Sequence, residues 1–302
     1  RSVTDLGGLS VPRLAVRTWE RMEAHDAMTW AAAIAFYALL ATVPLLALFL
    51  VGTVLQLPDL TGTGGRTTGL GNLTVGQLDE TLRSLFPREA YVLVRDQIAR
   101  IQGEPPVGLL SVGVAIALWT ASSLSLTIID ALNRAYEVAE TRSFVRLRLT
   151  AIALTLLQAV ILVGSLVAIV AWAPILRGLG INPHGVVAWL ATVVRWIAVI
   201  ITMLLSFALT FAVGPAARRR WHWVTPGSLV GTAAFLAFSF LFRLYIQYFG
   251  GYDRTYGSLG GIMVLLFWYW AVGLVLLGAA EMDRAIEAAA SLGPSPRRPG
   301  EP

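Results

Sequence analysis

Apolar residues in this chain run continuously for twenty or more positions at a time, and short polar connections separate the runs. A helix needs ~20 such residues to cross a bilayer, and a lipid-exposed backbone must satisfy its hydrogen bonds internally. The pattern therefore predicts an all-α, polytopic integral membrane protein with six transmembrane helices. The spans fall at about 29–57, 107–129, 149–173, 186–213, 224–249 and 258–282. Pro44 lies inside the first, where the missing backbone donor kinks a helix that its neighbours can support. The last two spans, with the short Gly/Tyr-rich turn between them, form a hairpin that carries Arg243 within its first arm and Glu281 at the end of its second. The first apolar run is too long for a cleavable signal peptide and is expected to remain as a helix.

The polar segments divide the rest. Residues 1–28 form an N-terminal region whose 11–24 stretch is amphipathic, with Val11, Ala15, Trp19 and Met22 on one face and Arg13, Arg17 and Arg21 on another. That pattern suits a helix lying in the membrane interface, and it equally suits a juxtamembrane connector. The membrane domain, 29–287, contains a long connection at 58–106 that reads as a small helical extracytoplasmic cap. Within it Thr74 and Gln77 have capping-box spacing ahead of Leu78, Leu82 and Leu85, and Val94, Ile98 and Ile101 line up on a second short helix. Residues 288–302, rich in Pro, Gly and Arg, read as a disordered tail.

Charge sets the orientation. The N-terminus, the 130–148 loop, the 214–223 loop and the tail collect most of the arginines, while the opposite connections hold fewer, mainly in the long loop where the bias counts least. Both termini are therefore expected on the cytoplasmic side. Hydrophobic residues make up 56% of the 302 positions and charged residues 14%, against ~25% charged in an ordinary soluble domain. With no cysteine, disulfides, cysteine zinc sites and iron–sulfur clusters are excluded. All 23 basic residues are arginine, which suits bidentate phosphate contacts and also fits a simple compositional bias. The pI near 10.0 points to anionic headgroups rather than nucleic acid, because the basic residues flank apolar spans.

Small polar residues recur at i+3 or i+4 along several spans. The second carries Thr120, Ser123, Thr127 and Asp130, the third Thr155, Gln158 and Ser165, the fourth Arg195, Thr202 and Ser206, and the fifth Ser228, Thr232, Ser239, Arg243 and Gln247. Such stripes either line a shared polar interior or serve as packing glue. Arg195 and Arg243 lie about 15 Å and 10 Å below the outer ends of their helices. They either snorkel to the interface or form an outward-facing basic pocket for an anionic group. Arg195, Arg243, Gln247, Ser239, Thr202, Ser206 and Gln158 are the candidate substrate-binding residues. At the other end Asp130, Asn133, Arg134, Glu137 and Glu281 form a candidate polar network facing the Arg-rich loops, read first as structural ion pairing and second as a proton or cation relay. Gly227/Gly231 and Gly257/Gly261 have the spacing that permits close helix approach.

His25, His184 and His222 stand on different connections, without metal-ligand spacing, and no Walker loop, dinucleotide fingerprint, nucleophile elbow or HExxH motif occurs. No cofactor or metal is expected. Four stretches carry a resemblance: Trp30–Leu46 (WAAAIAFYALLATVPLL), Leu118–Val138 (LWTASSLSLTIIDALNRAYEV), Pro226–Gly231, and Tyr256–Glu287 (YGSLGGIMVLLFWYWAVGLVLLGAAEMDRAIE). Together they resemble the YihY/BrkB family of bacterial inner-membrane proteins over about residues 15–287. The resemblance implies a six-helix plasma-membrane protein, a virulence-factor label tied to resistance to serum killing, and an older label of ribonuclease BN. No cluster of acids or histidines suited to metal-assisted phosphodiester cleavage accompanies that last label. Residues recurring in the family would be Asn133, Tyr136, Tyr256, Gly257, Gly278 and Glu281. The combined expectation is a non-enzymatic, non-ATP-driven transporter or lipid-handling protein whose partners are membrane lipids, with anionic phospholipid foremost and no nucleic acid. The rival is a non-transporting scaffold for envelope assembly, with a membrane enzyme third. Oligomeric state is not set by the sequence.

Overall fold

The computed structural model describes residues 9–55, 107–170, 185–216, 225–249 and 258–291. The expected cap at 58–106, the Arg218–His222 stretch, the turn with Tyr252 and Tyr256, and residues 292–302 of the tail lie outside the described residues; residues 288–291, expected to begin the disordered tail, instead continue the last helix. Among those described every regular element is a helix: α1 Val11–Ala24, α2 Ala27–Leu55, α3 Val107–Ala135, α4 Phe144–Val170, α5 Gly185–Val213, α6 Pro226–Phe249 and α7 Ser258–Ser291. By length and composition α3 to α7 supply five helices able to cross a membrane. The α1–α2 pair, bent by 67° where the two meet, makes the count six if it is taken as one span.

Local chemistry places the helix ends. α1 starts behind Ser10 with Pro12 in its first turn, where a missing backbone donor is harmless. α6 opens with a reciprocal cap: the Ser228 amide donates to Thr225 Oγ1 and the Thr225 amide to Ser228 Oγ, each at 3.0 Å. α3 closes in a Schellman turn. The Glu137 amide donates to the Arg134 carbonyl at 3.0 Å and the Val138 amide to the Asn133 carbonyl at 2.9 Å, with Glu137 in the left-handed region at φ 54°.

The helices divide into two compact units, one of residues Arg1–Leu39 with Ala121–Pro302 and one of Leu40–Thr120. In the first, α1 packs on α7, α7 on α6, α6 on α5 and α5 on α4. One apolar cluster joins Leu132, Tyr136, Phe207, Phe211, Ala279 and Ala280, and a second joins Ala27, Ala31, Ile34, Ala131 and Leu277. Much of the outward surface is large and apolar, including Trp189, Ile201, Phe240 and Leu241, as a lipid-facing surface requires.

The closest approach is between α6 and α7. A Cβ on Gly227 would overlap the Ala279 carbonyl oxygen and stand 2.5 Å from Asp283 Cγ, and one on Gly231 would stand 2.8 Å from Ala279 Cβ. Gly261, in the other small-residue pair, has open space around it. The first pair is a packing device and Gly261 is not. We predict that Gly227→Ala destabilises the detergent-purified protein by ~1–3 kcal/mol in thermal or denaturant unfolding, the usual range for overpacking, while Gly261→Ala does not destabilise it. Equal effects of the two would contradict this assignment.

Candidate functional site

Polar side chains of the first unit concentrate where α1, the end of α3 and the last turns of α7 meet. Glu281, on α7, is 1% exposed, and a buried carboxylate requires both charge compensation and hydrogen bonds. Arg21 Nε donates to Glu281 Oε2 at 2.9 Å, and His25 Nδ1 lies 2.6 Å from Oε1. The same guanidinium reaches two further acceptors, Glu137 Oε1 and the Ala135 carbonyl oxygen, each at 2.9 Å. Arg284 Nη2 stands 3.7 Å from Glu137 Oε2, and Arg134 pairs with Asp26 at 2.8 Å. The Arg21 hydrogen bond, reinforced by the nearby charges of Arg21, Arg284 and His25, holds the Glu137 carboxyl below its usual range.

The local sequence explains how α1 delivers these groups. Leu14, Thr18, Arg21 and His25 are spaced i, i+4, i+7 and i+11, a single helix stripe. Leu14 seats against Met282, Ala285 and Ile286 of α7, and Arg21 and His25 descend onto Glu281 about two and three turns later. Val11, Val16 and Trp19 stay exposed. The interfacial reading of α1 placed Arg21 with Arg13 and Arg17 on an outer face; the structure turns Arg21 inward, because the unmet carboxylate of Glu281 lies beneath it.

A second clasp adjoins the first. Buried Asn133 donates from Nδ2 to Glu140 Oε2 at 2.8 Å and accepts from the Ala216 amide at 2.7 Å. Arg142 holds Glu140 by a two-pronged pair at 2.8 and 2.7 Å and donates to the Gly214 carbonyl at 2.8 Å. The pair drives the Glu140 carboxyl down to about 2. This clasp fixes the turn after α3 to the end of α5. Asp130 is exposed and makes no hydrogen bond to another described residue, but it stands within range of the charges of Glu140 and Arg142, at the edge of this second clasp. A third acid, Asp283, receives the Gly227 amide at 2.6 Å and ties α7 to the start of α6.

Further into the spans the polar stripes separate into two kinds. Thr120, Thr127, Ser165, Thr202 and Thr232 bond backward to carbonyls of their own helices, which is packing behaviour. Gln158 and Ser206 meet across helices: Ser206 donates to Gln158 Oε1, and Gln158 Nε2 donates to Thr210 Oγ1, both at 2.7 Å. Ser125 and Thr155 pair at 2.7 Å between α3 and α4. Ser239 Oγ is buried and has no partner among the described residues. Arg243 and Gln247 lie exposed on α6, and Arg195 sits 5.9 Å from the Trp196 ring centroid. Neither arginine has a hydrogen-bond or ion-pair partner among the described residues. Sequence reasoning found Glu281, Glu137 and Asn133 but missed Arg21, His25, Glu140 and Asp283 as their partners or counterparts. The stripe from Leu14 to His25 was the available signal for the first two.

A family model described as Virulence factor BrkB matches residues 18–301. Among curated proteins, the chain is 28% identical over 269 residues to YfkH of Bacillus subtilis, named as ribonuclease-like, covering 88% of this chain and 92% of that one. It is 24% identical over 275 residues to a UPF0761 membrane protein of Psychromonas ingrahamii, covering 89% and 86%. No solved structure matches.

The Glu140 clasp gives a pH dependence with a definite sign. Because its carboxyl is lowered from the ordinary 4.5 to about 2, the stability it contributes is complete above the unfolded value and is lost as pH falls toward the folded one. Thermal unfolding between about pH 5 and pH 2 should therefore weaken less steeply in Glu140→Gln than in the unmodified protein. Parallel pH profiles for the two would contradict the clasp.

Proposed function

The chain belongs to the Virulence factor BrkB family, matched over residues 18–301, and we propose that within it this membrane protein handles an anionic lipid or similar anionic substrate without hydrolysing ATP itself. One observation carries the reading. Two arginines, Arg195 and Arg243, stand within membrane-spanning helices and have no carboxylate or other hydrogen-bond partner among the described residues. An arginine at the centre of a span costs ~2.5–3.5 kcal/mol on insertion scales and marks a functional position by default. A phosphate headgroup supplies the missing charge and acceptors in a geometry that suits guanidinium.

The neighbours of these arginines support the same assignment. Ser239 lies four residues before Arg243 and Gln247 four after it, so all three share one face of α6. On α5, Thr202 and Ser206 continue from Arg195, and Ser206 joins Gln158 of α4. This line of small polar groups suits passage of a headgroup between helices, and the exposure of Arg243 suits entry from the bilayer. The role is non-enzymatic in this reading. The location that fits is the bacterial plasma membrane with both termini cytoplasmic, as the distribution of arginines favours.

Native mass spectrometry of the gently extracted protein tests this, comparing the natural chain with an Arg195→Gln/Arg243→Gln variant. Selective retention of an anionic phospholipid class by the natural chain, lost in the folded double variant, is the expected result. Equal and unselective lipid carriage by both would overturn the headgroup pocket and leave a scaffolding role as the better reading. Cysteines placed singly at Ser10 and Ala290 in this cysteine-free chain should react with an impermeant maleimide only from the cytoplasmic side.

A further inference from the structure

α1 is attached unlike any other helix of its unit. Leu14 is its only fully buried side chain; half-buried Met22 packs beside Ala31 and Leu277, and the other contacts that hold it are polar. α6, by contrast, meets α7 through glycines at backbone contact distance. Arg21 is the pin: one guanidinium serves Glu281, Glu137 and the Ala135 carbonyl, each at 2.9 Å. His25 seats beside it on Glu281. A seam with little buried apolar surface and several charged contacts is where a structure opens at least cost.

α1 and α2 meet at a 67° bend at residues 25–26, and Asp26 occupies the left-handed region at φ 55°. Glu137, the acid that meets Arg21 from the end of α3, is the other non-glycine residue in that region among those described. Both are acids that flank the pin; Asp enters this region more readily than most residues, and at Glu137 the conformation belongs to the turn that closes α3. Asp26 is held by Arg134, and Glu137 by Arg21 with Arg284 nearby. Release of Arg21 therefore frees the Glu137 side chain, while the Schellman turn keeps its backbone in place, and removes the cover over α7.

We propose that α1 is a hinged gate, pinned shut by Arg21 and His25 on Glu281 and Glu137, whose swing about Asp26 uncovers the inner end of α7 and opens the substrate path on that side. The gating role rests on the transport reading above; the hinge itself does not. The face that opening exposes includes Gly278, now 3.3 Å in Cβ terms from the Met22 sulfur, and Ala285 beneath Leu14. The charged groups that meet at the seam are Arg21 on α1, His25 just after it, Asp26 at the hinge, Arg134 and Glu137 at the end of α3, and Glu281 and Arg284 on α7. With both signs represented and several members exposed, the pin weakens in salt, as exposed ion pairs do.

Two measurements on the full chain in vesicles test the gate, and both use the absence of natural cysteine. First, Ala285→Cys is buried under α1 and should react slowly with a maleimide; adding Arg21→Gln should raise the labelling rate at least ~10-fold, the effect of a shift of about 1.4 kcal/mol in the closing equilibrium. Equal rates in the two backgrounds would overturn the hinge. Second, a Leu14→Cys/Ile286→Cys pair, oxidised to tether α1 to α7, should block movement of fluorescently tagged phosphatidylglycerol across phosphatidylcholine vesicles, and a reductant should restore it. This arm needs no loss of the pin and so does not depend on Arg21→Gln folding normally. Movement that ignores the tether would overturn the gate while sustaining transport. No movement even after reduction would overturn the transport reading, and the labelling comparison alone would then decide whether α1 swings.

Discussion

A carboxylate placed almost wholly out of solvent near the end of a membrane-spanning helix must be met, and the first unit is arranged around meeting Glu281. Arg21 and His25 satisfy both of its oxygens, and because they are one turn apart on α1, that helix has a single register in which it can dock. Arg21 then has donors left over, which collect Glu137 and the Ala135 carbonyl from the end of α3. One buried acid thus sets the positions of three helix ends. Removing either partner of such a pair is far costlier than the pair's net worth, since the survivor is left charged and buried.

α7 carries a second acid two residues later. Residues so spaced point about 200° apart around a helix, and the two acids accordingly engage opposite neighbours. Glu281 takes α1, and Asp283 takes the amide of Gly227 at the start of α6. The polar contacts to α6 come with close backbone packing at Gly227 and Gly231, whereas those to α1 come with one buried leucine and half-buried Met22. The same helix therefore holds α6 by backbone fit and α1 by a charged clasp set beside a smaller apolar contact.

The spanning helices were legible in the sequence because unbroken apolar runs permit little else in a membrane. The close approach at Gly227 and Gly231 was legible from spacing, although the same spacing misread Gly261, which has no near neighbour. Glu281, Glu137 and Asn133 stood out as polar groups ending apolar helices. Their partners did not, because Arg21 lies 260 positions from Glu281 and its i+4 relation to Arg13 and Arg17 drew it to the wrong face. Glu140 and Arg142 are near neighbours in sequence, yet what they fasten, the carbonyl of Gly214 and through Asn133 the amide of Ala216, comes from the far end of α5. Gln158 and Ser206 were recognisable as polar residues in apolar helices; that Thr210 completes their group follows only from how α4 and α5 rotate against each other. Asp130 shows the converse, an acid in register with a polar stripe that meets the Glu140–Arg142 clasp only through its charge.

The measurement that bears most directly on the organising role of Glu281 is a double-mutant cycle with Arg21→Gln and Glu281→Gln, read by reversible unfolding of the detergent-purified full chain. A coupling energy of at least ~1 kcal/mol between the two positions is the predicted result, as for residues sharing one hydrogen-bonded charge network. Effects that simply add, within ~0.5 kcal/mol, would mean that the two side chains act independently and that the docking of α1 rests on something other than this pair.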